Sequence, residues 1–361
     1  MSHTTTQVRR AAAPLVLFLA VLALAGTLAG CGGDGKGGHT VTLVTHDSFA
    51  VSRPVLREFT RRTGYKVRVL RGGDAGSAVN QAVLNKDHPQ GDVFFGVDNT
   101  LLSRPVDKGV FAPYRAKGLA RVPARLRDGT EGHKVTPVDT GQICVNYDRA
   151  YFARKHLGPP RTLADLAKPR YRNLLVTENA ATSSPGLGFL LASVDAYGSH
   201  WRTYWKKLRA NGVETVDGWE QAYNDRFSGS RGGKGKGDRP LVVSYASSPP
   251  VEVQGEKPAP AKAPTGVVRD TCFQQTEYAG LLAGAENRRG GEALLDFLLS
   301  RRFQEDMPLQ MFVDPVREDA KRPKLFTRYG EEAEHPATMP ARTIARHREQ
   351  WIRSWTSLIG R

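Results

Sequence analysis

The sequence predicts an α/β protein of two domains built on parallel sheet. Three observations carry this. A βαβαβ pattern opens the body, a second set of strand and helix signals follows beyond residue 136, and 361 residues is the length of two domains or at most three. The hydrophobic fraction of 40% is enough for a sizeable core and argues against wholesale disorder. Only one stretch is apolar enough to span a bilayer, which excludes a polytopic membrane protein. Three cysteines are too few for a disulfide scaffold.

That apolar stretch comes first. Residues 1–30 carry Arg9 and Arg10 as their only formal charges, and the run AAAPLVLFLAVLALAGTLAG follows them. A basic start, an apolar centre and small residues at the end describe an export signal. The glycine-rich segment 31–39, CGGDGKGGH, reads as a flexible tether. Exclusion of nucleic acid as a partner follows from export, despite the net charge of +16, because the basic residues are scattered. Their densest cluster, residues 229–238, reads as a solvated Gly/Lys loop.

In the body, residues 39–49 alternate apolar positions at Val41 and Leu43 and predict a strand. A helix follows, with Pro54 near its start and Gly64 as its C-cap. Residues 65–70 predict a second strand, GGDAGS a loop, and SAVNQAVLNKD a helix. Residues 91–97, GDVFFGV, predict a buried strand that stops at the cap-like Asp98-Asn99-Thr100. Later strands are expected at 136–148, 173–177 and 241–249. Helices are expected from Ser183 onward, through the Trp201/Tyr204/Trp205 stripe, at 290–300, and at the C-terminus, where Trp351 and Trp355 share a face.

No Gly-x-Ser-x-Gly, His-Glu-x-x-His or Walker motif occurs, and the nine histidines have no zinc-ligand spacing. No catalytic residue and no metal ligand is assigned. What remains is a set of loops after strand ends, where open α/β sheets bind ligands. They offer carboxylates at Asp47, Asp74 and Asp98, aromatic faces at Trp219 and Tyr245, and hydroxyls at Ser183, Ser184, Ser247 and Ser248. An aromatic face beside a carboxylate suits a flat cation, and the amides that open the helix at Ser183-Ser184 suit an anion. Each has a plainer alternative: Asp98 and Ser183 as helix caps, Trp219 and Tyr245 as core.

Taken together, THDSF, GDVFFGVDNTLL, TSSPGLGFLL, DGWEQAY, VVSYASSP and the terminal QWIRSW resemble, in order and spacing, the thiamine-binding proteins of bacterial ABC importers. Leu28-Ala29-Gly30-Cys31 resembles the lipobox of bacterial lipoproteins, which implies a lipid anchor on Cys31 at the extracytoplasmic face of the membrane. The family resemblance implies a type II periplasmic-binding fold, two α/β lobes joined by two crossing strands. Lobe 1 would comprise residues 40–138 and 275–361, and lobe 2 residues 139–274. Ligand contacts then fall on Asp74, Ala75, Ser183, Ser184, Trp219, Tyr245, Ala246, Ser247 and Ser248, with His46, Asp47, Asp98, Asp139 and Phe312 as weaker candidates. Three positions depart from the family's aromatic pattern: His46, the segment Asp139-Thr140-Gly141, and Phe312. The crossing strands would carry Cys144 and Cys272 side by side, implying a disulfide, with two buried thiols as the alternative.

The expected function is capture of thiamine, or its mono- or diphosphate, as a transported ligand rather than a cofactor, by a monomer that delivers it to an ABC permease. A polyamine is the alternative ligand within the same fold. Iron is disfavoured because Tyr245 is followed by Ala246 and not by a second tyrosine. A hydrolase using Ser183 lacks a base partner.

Overall fold

The computed structural model describes residues 39–127, 131–232 and 237–359. The export signal, Cys31 and all of the tether but His39 lie outside them, as do residues 233–236 of the Gly/Lys loop.

The opening half runs β1 (Thr40–Thr45), α1 (Arg53–Thr63), β2 (Lys66–Arg71), α2 (Ala75–Leu84), β3 (Val93–Asp98), α3 (Ser103–Asp107) and β4 (Phe111–Ala112). A long strand, β5 (Thr136–Asp148), leads into α4 (Arg149–Arg154), α5 (Leu163–Leu166), β6 (Leu175–Glu178), α6 (Ser184–Tyr197), α7 (Trp201–Ala210), β7 (Glu214–Val216), β8 (Leu241–Tyr245) and α8 (Ser248–Val251). A second long strand, β9 (Thr265–Leu282), returns to α9 (Arg288–Leu298), α10 (Arg301–Gln304), α11 (Met307–Met311), β10 (Asp314–Pro315), α12 (Lys324–Tyr329) and α13 (Ala341–Ile359).

The strands join in the order β2-β1-β3-β9-β5-β8-β6-β7, with β4 beside β9 and β10 beside β5. β1 pairs in parallel with β2 and β3, and β6 does so with β7 and β8. β9 and β5 run antiparallel to each other and stitch the two parallel halves together. Parallel strands need crossover helices on their faces, so they are buried on both sides. This is why every β1 residue after Thr40 is buried, where an alternating pattern predicted one wet face.

Local chemistry sets the helix ends. Gly64 takes a left-handed φ of 76° and returns its N–H to the Thr60 carbonyl, closing α1. Ser184–Val194 of α6 is buried all round, as an apolar helix without a polar face must be. Near the C-terminus Trp355 packs edge-on to Trp205 of α7 at 5.5 Å, while Arg348 donates to the carbonyls of Thr100 and Leu101 beside α3. α13 therefore lies against both halves. The expectation that 275–361 belongs to one lobe is corrected on this point: Trp355 packs on Trp205 of α7, in the other half.

Cys144 and Cys272 form a disulfide between β5 and β9. The register jumps there from the Ile143–Phe273 pair to Val145–Val268, so a bulge in β9 carries Cys272 across to Cys144.

Candidate functional site

A cleft of about 160 Å³ opens between the halves, where the C-terminal ends of β1, β2, β7 and β8 converge. His46, Ser48, Asp74, Ala75, Ser184, Pro185, Trp219, Glu220, Asn224, Tyr245, Glu277, Gln310, Met311 and Phe312 line it, among others. None of the lining residues is Lys or Arg.

One wall is aromatic. Trp219 stacks on Tyr223 at 4.9 Å and 13°, and Phe312 meets Trp219 edge-on at 5.5 Å. The Trp219 indole N–H donates to Ser244 Oγ (2.9 Å), which fixes the ring plane. Phe312 has a φ of 62°, unusual for a side-chain-bearing residue. Its carbonyl accepts the Ser247 hydroxyl, which tethers the turn.

Carboxyls complete the lining, at Asp74, Glu220 and Glu277. Asp74 caps α2 and accepts both the Ala75 N–H (2.5 Å) and, from the other half of the molecule, the Trp219 N–H (2.9 Å). Burial raises its pKa to about 6 despite those bonds. At the floor, Asp98, Glu277 and Asp139 stand in one row across β3, β9 and β5, since Glu277 is the register partner of both aspartates. Burial first, and then the neighbouring Asp139 and Asp98, push Glu277 well above the usual carboxylate range. Asp139 and Asp98 are raised as well, burial again being the main cause. Among the described residues no group of three or more His, Cys, Asp or Glu has the geometry to hold a metal ion.

His46 fills the gap left by Gly96 of β3, where a Cβ would fall 2.2 Å from the imidazole. Its Nδ1 lies 2.8 Å from Ser48 Oγ and its Nε2 3.9 Å from Glu277. Burial, helped by the Arg71 charge, lowers the His46 pKa to about 4, so the ring is neutral at physiological pH and the contact with Glu277 is not an ion pair.

Of the residues singled out from sequence, Asp74, Ala75, Ser184, Trp219, Tyr245, His46 and Phe312 line the cleft together. The rest do not. Asp47 is exposed outside the lining. Asp98 is fully buried as a cap, accepting from Thr100, Leu101 and Gln275, and Asp139 is buried behind Glu277. Ser247 and Ser248 turn inward, to the Phe312 carbonyl and to Ser244 Oγ, and Ala246 packs beside the disulfide. Their hydroxyls are consumed in shaping the turn after β8. Ser183 stands at the N-cap of α6 with its side chain beside Asp74, and the Ser184 side chain lies beside Asp98; the Ser183 hydroxyl does not cap the helix. The start of α6 thus has the Asp74 and Asp98 carboxyls beside its two serine side chains, where an anion site was expected. Sequence reasoning missed Glu277, Glu220 and Asn224. A charged residue inside the apolar run of β9 was the signal for Glu277.

A two-halved α/β molecule with its cleft at the crossing strands is built to enclose a solute. Residues 89–333 match the model of the bacterial extracellular solute-binding proteins, and the chain belongs to that family. The thiamine-binding periplasmic protein of Salmonella typhimurium (strain LT2) is 27% identical over 328 residues, covering 89% of this chain and 94% of that protein. The protein of the same name from Brucella suis is 26% identical over 332 residues, covering 89% and 92%. A solved periplasmic thiamin-binding protein matches with a TM-score of 0.77 at 25% identity, over 89% of this chain and 96% of that one. The periplasmic binding protein AfuA from Actinobacillus pleuropneumoniae matches in fold, with a TM-score of 0.71 at 15% identity over 89% and 98%. The fold is the type II periplasmic-binding fold, as the sequence resemblance implied, and these relatives are binding proteins rather than enzymes.

Proposed function

We propose that this chain captures thiamine from the extracytoplasmic space and hands it to an ABC-type permease. One observation carries the reading: Trp219, Tyr245 and Phe312 share the lining with the buried carboxyls of Asp74 and Glu277, and the lining holds no Lys or Arg. Asp74, which ionises above about pH 6 with no basic residue in the lining to pair with it, can offset a cation. Thiamine joins a permanent thiazolium charge to a second planar ring, so it offers both faces and charge. The names of the relatives support the same ligand. Phosphorylation adds negative charge that no basic lining residue meets, so the mono- and diphosphates are expected to bind no tighter than thiamine.

Closure of the halves over the ligand would give the permease a docking form distinct from the empty one. We also propose a lipid anchor on Cys31 and a monomeric state, the arrangement that suits a tethered receptor.

The test is calorimetric titration of the full chain in detergent, first unfolded and refolded to strip carried-over ligand. One-to-one binding of thiamine, with spermidine silent, supports the proposal. Binding of spermidine and not thiamine would move the assignment to polyamines. Mass spectrometry of the mature chain checks the diacylglycerol on Cys31.

A further inference from the structure

Glu277 has no counterpart in the sequence motifs, yet it is the carboxyl of the β3-β9-β5 row that lines the cleft. Its neighbours on every packed element are known. Asp98 stands on β3, Asp139 on β5, His46 follows β1, Asp74 begins α2, and Tyr245 ends β8. None of them is a cation at neutral pH. Asp98 is committed as an acceptor, since four donors converge on its two oxygens. Apart from Glu277 beside it, Asp139 has no hydrogen-bond partner at either oxygen. Adjacent buried carboxyls with no cation between them cannot all ionise, so protons stay in the row.

We infer that Glu277 reads a nitrogen-bearing ring edge of the ligand through a paired donor and acceptor, one oxygen giving a proton to a ring nitrogen and the other accepting from an adjacent amino group. A carboxylic acid presents those two functions side by side, which a carboxylate does not. Burial and the flanking carboxyls favour the acid form of Glu277. The inference rests on the thiamine reading, because the 4-aminopyrimidine of thiamine has such an edge and the thiazolium does not. It divides the work within the cleft: Asp74 offsets the cation, and Glu277 recognises the neutral ring.

The experiment titrates the full chain and its Glu277→Gln and Glu277→Ala variants with thiamine and with the analogue lacking the pyrimidine amino group. An amide carries the same donor–acceptor pair as the acid. Glu277→Gln is therefore expected to bind thiamine within about threefold of the parent, and Glu277→Ala about 10- to 100-fold more weakly. The deamino analogue should bind the parent and Glu277→Gln more weakly than thiamine by a similar factor, and should lose that penalty in Glu277→Ala. Should Glu277→Ala fail to fold, a parent chain that does not discriminate between thiamine and the deamino analogue overturns the inference by itself. Equal losses in Glu277→Gln and Glu277→Ala would make Glu277 a charged counter-ion and overturn it too. A parent chain that binds spermidine and not thiamine overturns the ligand reading, and this inference with it.

Discussion

The Asp74 carboxylate accepts the Trp219 N–H at 2.9 Å, and this bond crosses the cleft from the opening half of the chain to the second. Asp74 caps α2 while holding the residue that forms the aromatic wall. Closure, ligand stacking and charge thus meet in one side chain.

Asp74 makes the site pH-sensitive. In the folded protein burial holds its proton on up to about pH 6, against about 4 for an aspartate in the unfolded chain. Between those values the folded state binds more protons than the unfolded chain, so Asp74 costs stability as pH rises through that window. Asp74→Asn removes this titration but replaces one of the two accepting oxygens by an NH2, so its Tm should fall below the parent's under pH 4 and recover relative to it as pH rises to 7. Thiamine affinity should move the other way. The variant is expected to bind about 10-fold more weakly at pH 7.5 and to match the parent near pH 5, where Asp74 is neutral in both. Calorimetry at the two pH values checks this.

Gly76 tests closure separately from chemistry. A Cβ there would lie 2.7 Å from the Thr182 carbonyl group, across the cleft, where Ser77 N–H already donates to Thr182 O at 3.1 Å. Gly76 is the second residue of α2, so alanine gains there only part of the roughly 1 kcal/mol it gains over glycine in a helix interior. Gly76→Ala should hold the halves apart, weaken thiamine binding by about 10-fold or more, and leave Tm unchanged or a little lower. Titration paired with small-angle scattering reads both effects. A scattering radius unchanged by ligand in the variant, but reduced in the parent, is the expected signature.

How much of this was legible in the sequence depended on whether the cue was local. The β1-α1-β2-α2-β3 order, the Gly64 cap and the long strand at 136–148 follow from periodicity and punctuation, whereas its crossing partner came from the family resemblance. Asp74 and Trp219 were readable because each sits in a loop just past a strand end. Ser247 and Ser248 occupy the same kind of position, but their hydroxyls turn to Phe312 and Ser244, and no local pattern encodes that direction. Glu277 was missed because its role depends on the register of β3, β9 and β5, which brings together residues far apart in the chain. The packing of α13 on both halves was hidden for the same reason: the partner of Trp355 is 150 residues away.

The disulfide stabilises the crossing strands rather than the ligand. Cys144 and Cys272 are 128 residues apart in sequence and buried among Ala246, Val267 and Ala333. A cross-link closing so long a loop contributes about 2–4 kcal/mol, chiefly by restricting the unfolded chain. Replacing both cysteines by alanine should lower Tm by about 5–10 °C. Neither cysteine lines the cleft, so affinity at 25 °C should stay within about threefold of the parent. Thermal unfolding beside titration separates the two.

Phe312 combines a ring that closes the aromatic wall with a backbone that resists carrying a side chain. Its φ of 62° is in the left-handed region, which costs a non-glycine residue about 1–2 kcal/mol. The Ser247 hydroxyl on the Phe312 carbonyl holds that conformation in place. Phe312→Gly and Phe312→Ala both delete the ring, and both should weaken thiamine binding by about 10-fold through the lost edge contact with Trp219 and the opened wall. Only glycine relieves the backbone, so Phe312→Gly should be the more stable of the two by about 1 kcal/mol. Phe312→Trp restores a ring and should bind at least as tightly as the parent. Equal stability of the glycine and alanine variants would show that the turn relaxes once the ring is gone, and that the ring itself, wedged against Trp219 and Tyr223, holds Phe312 left-handed.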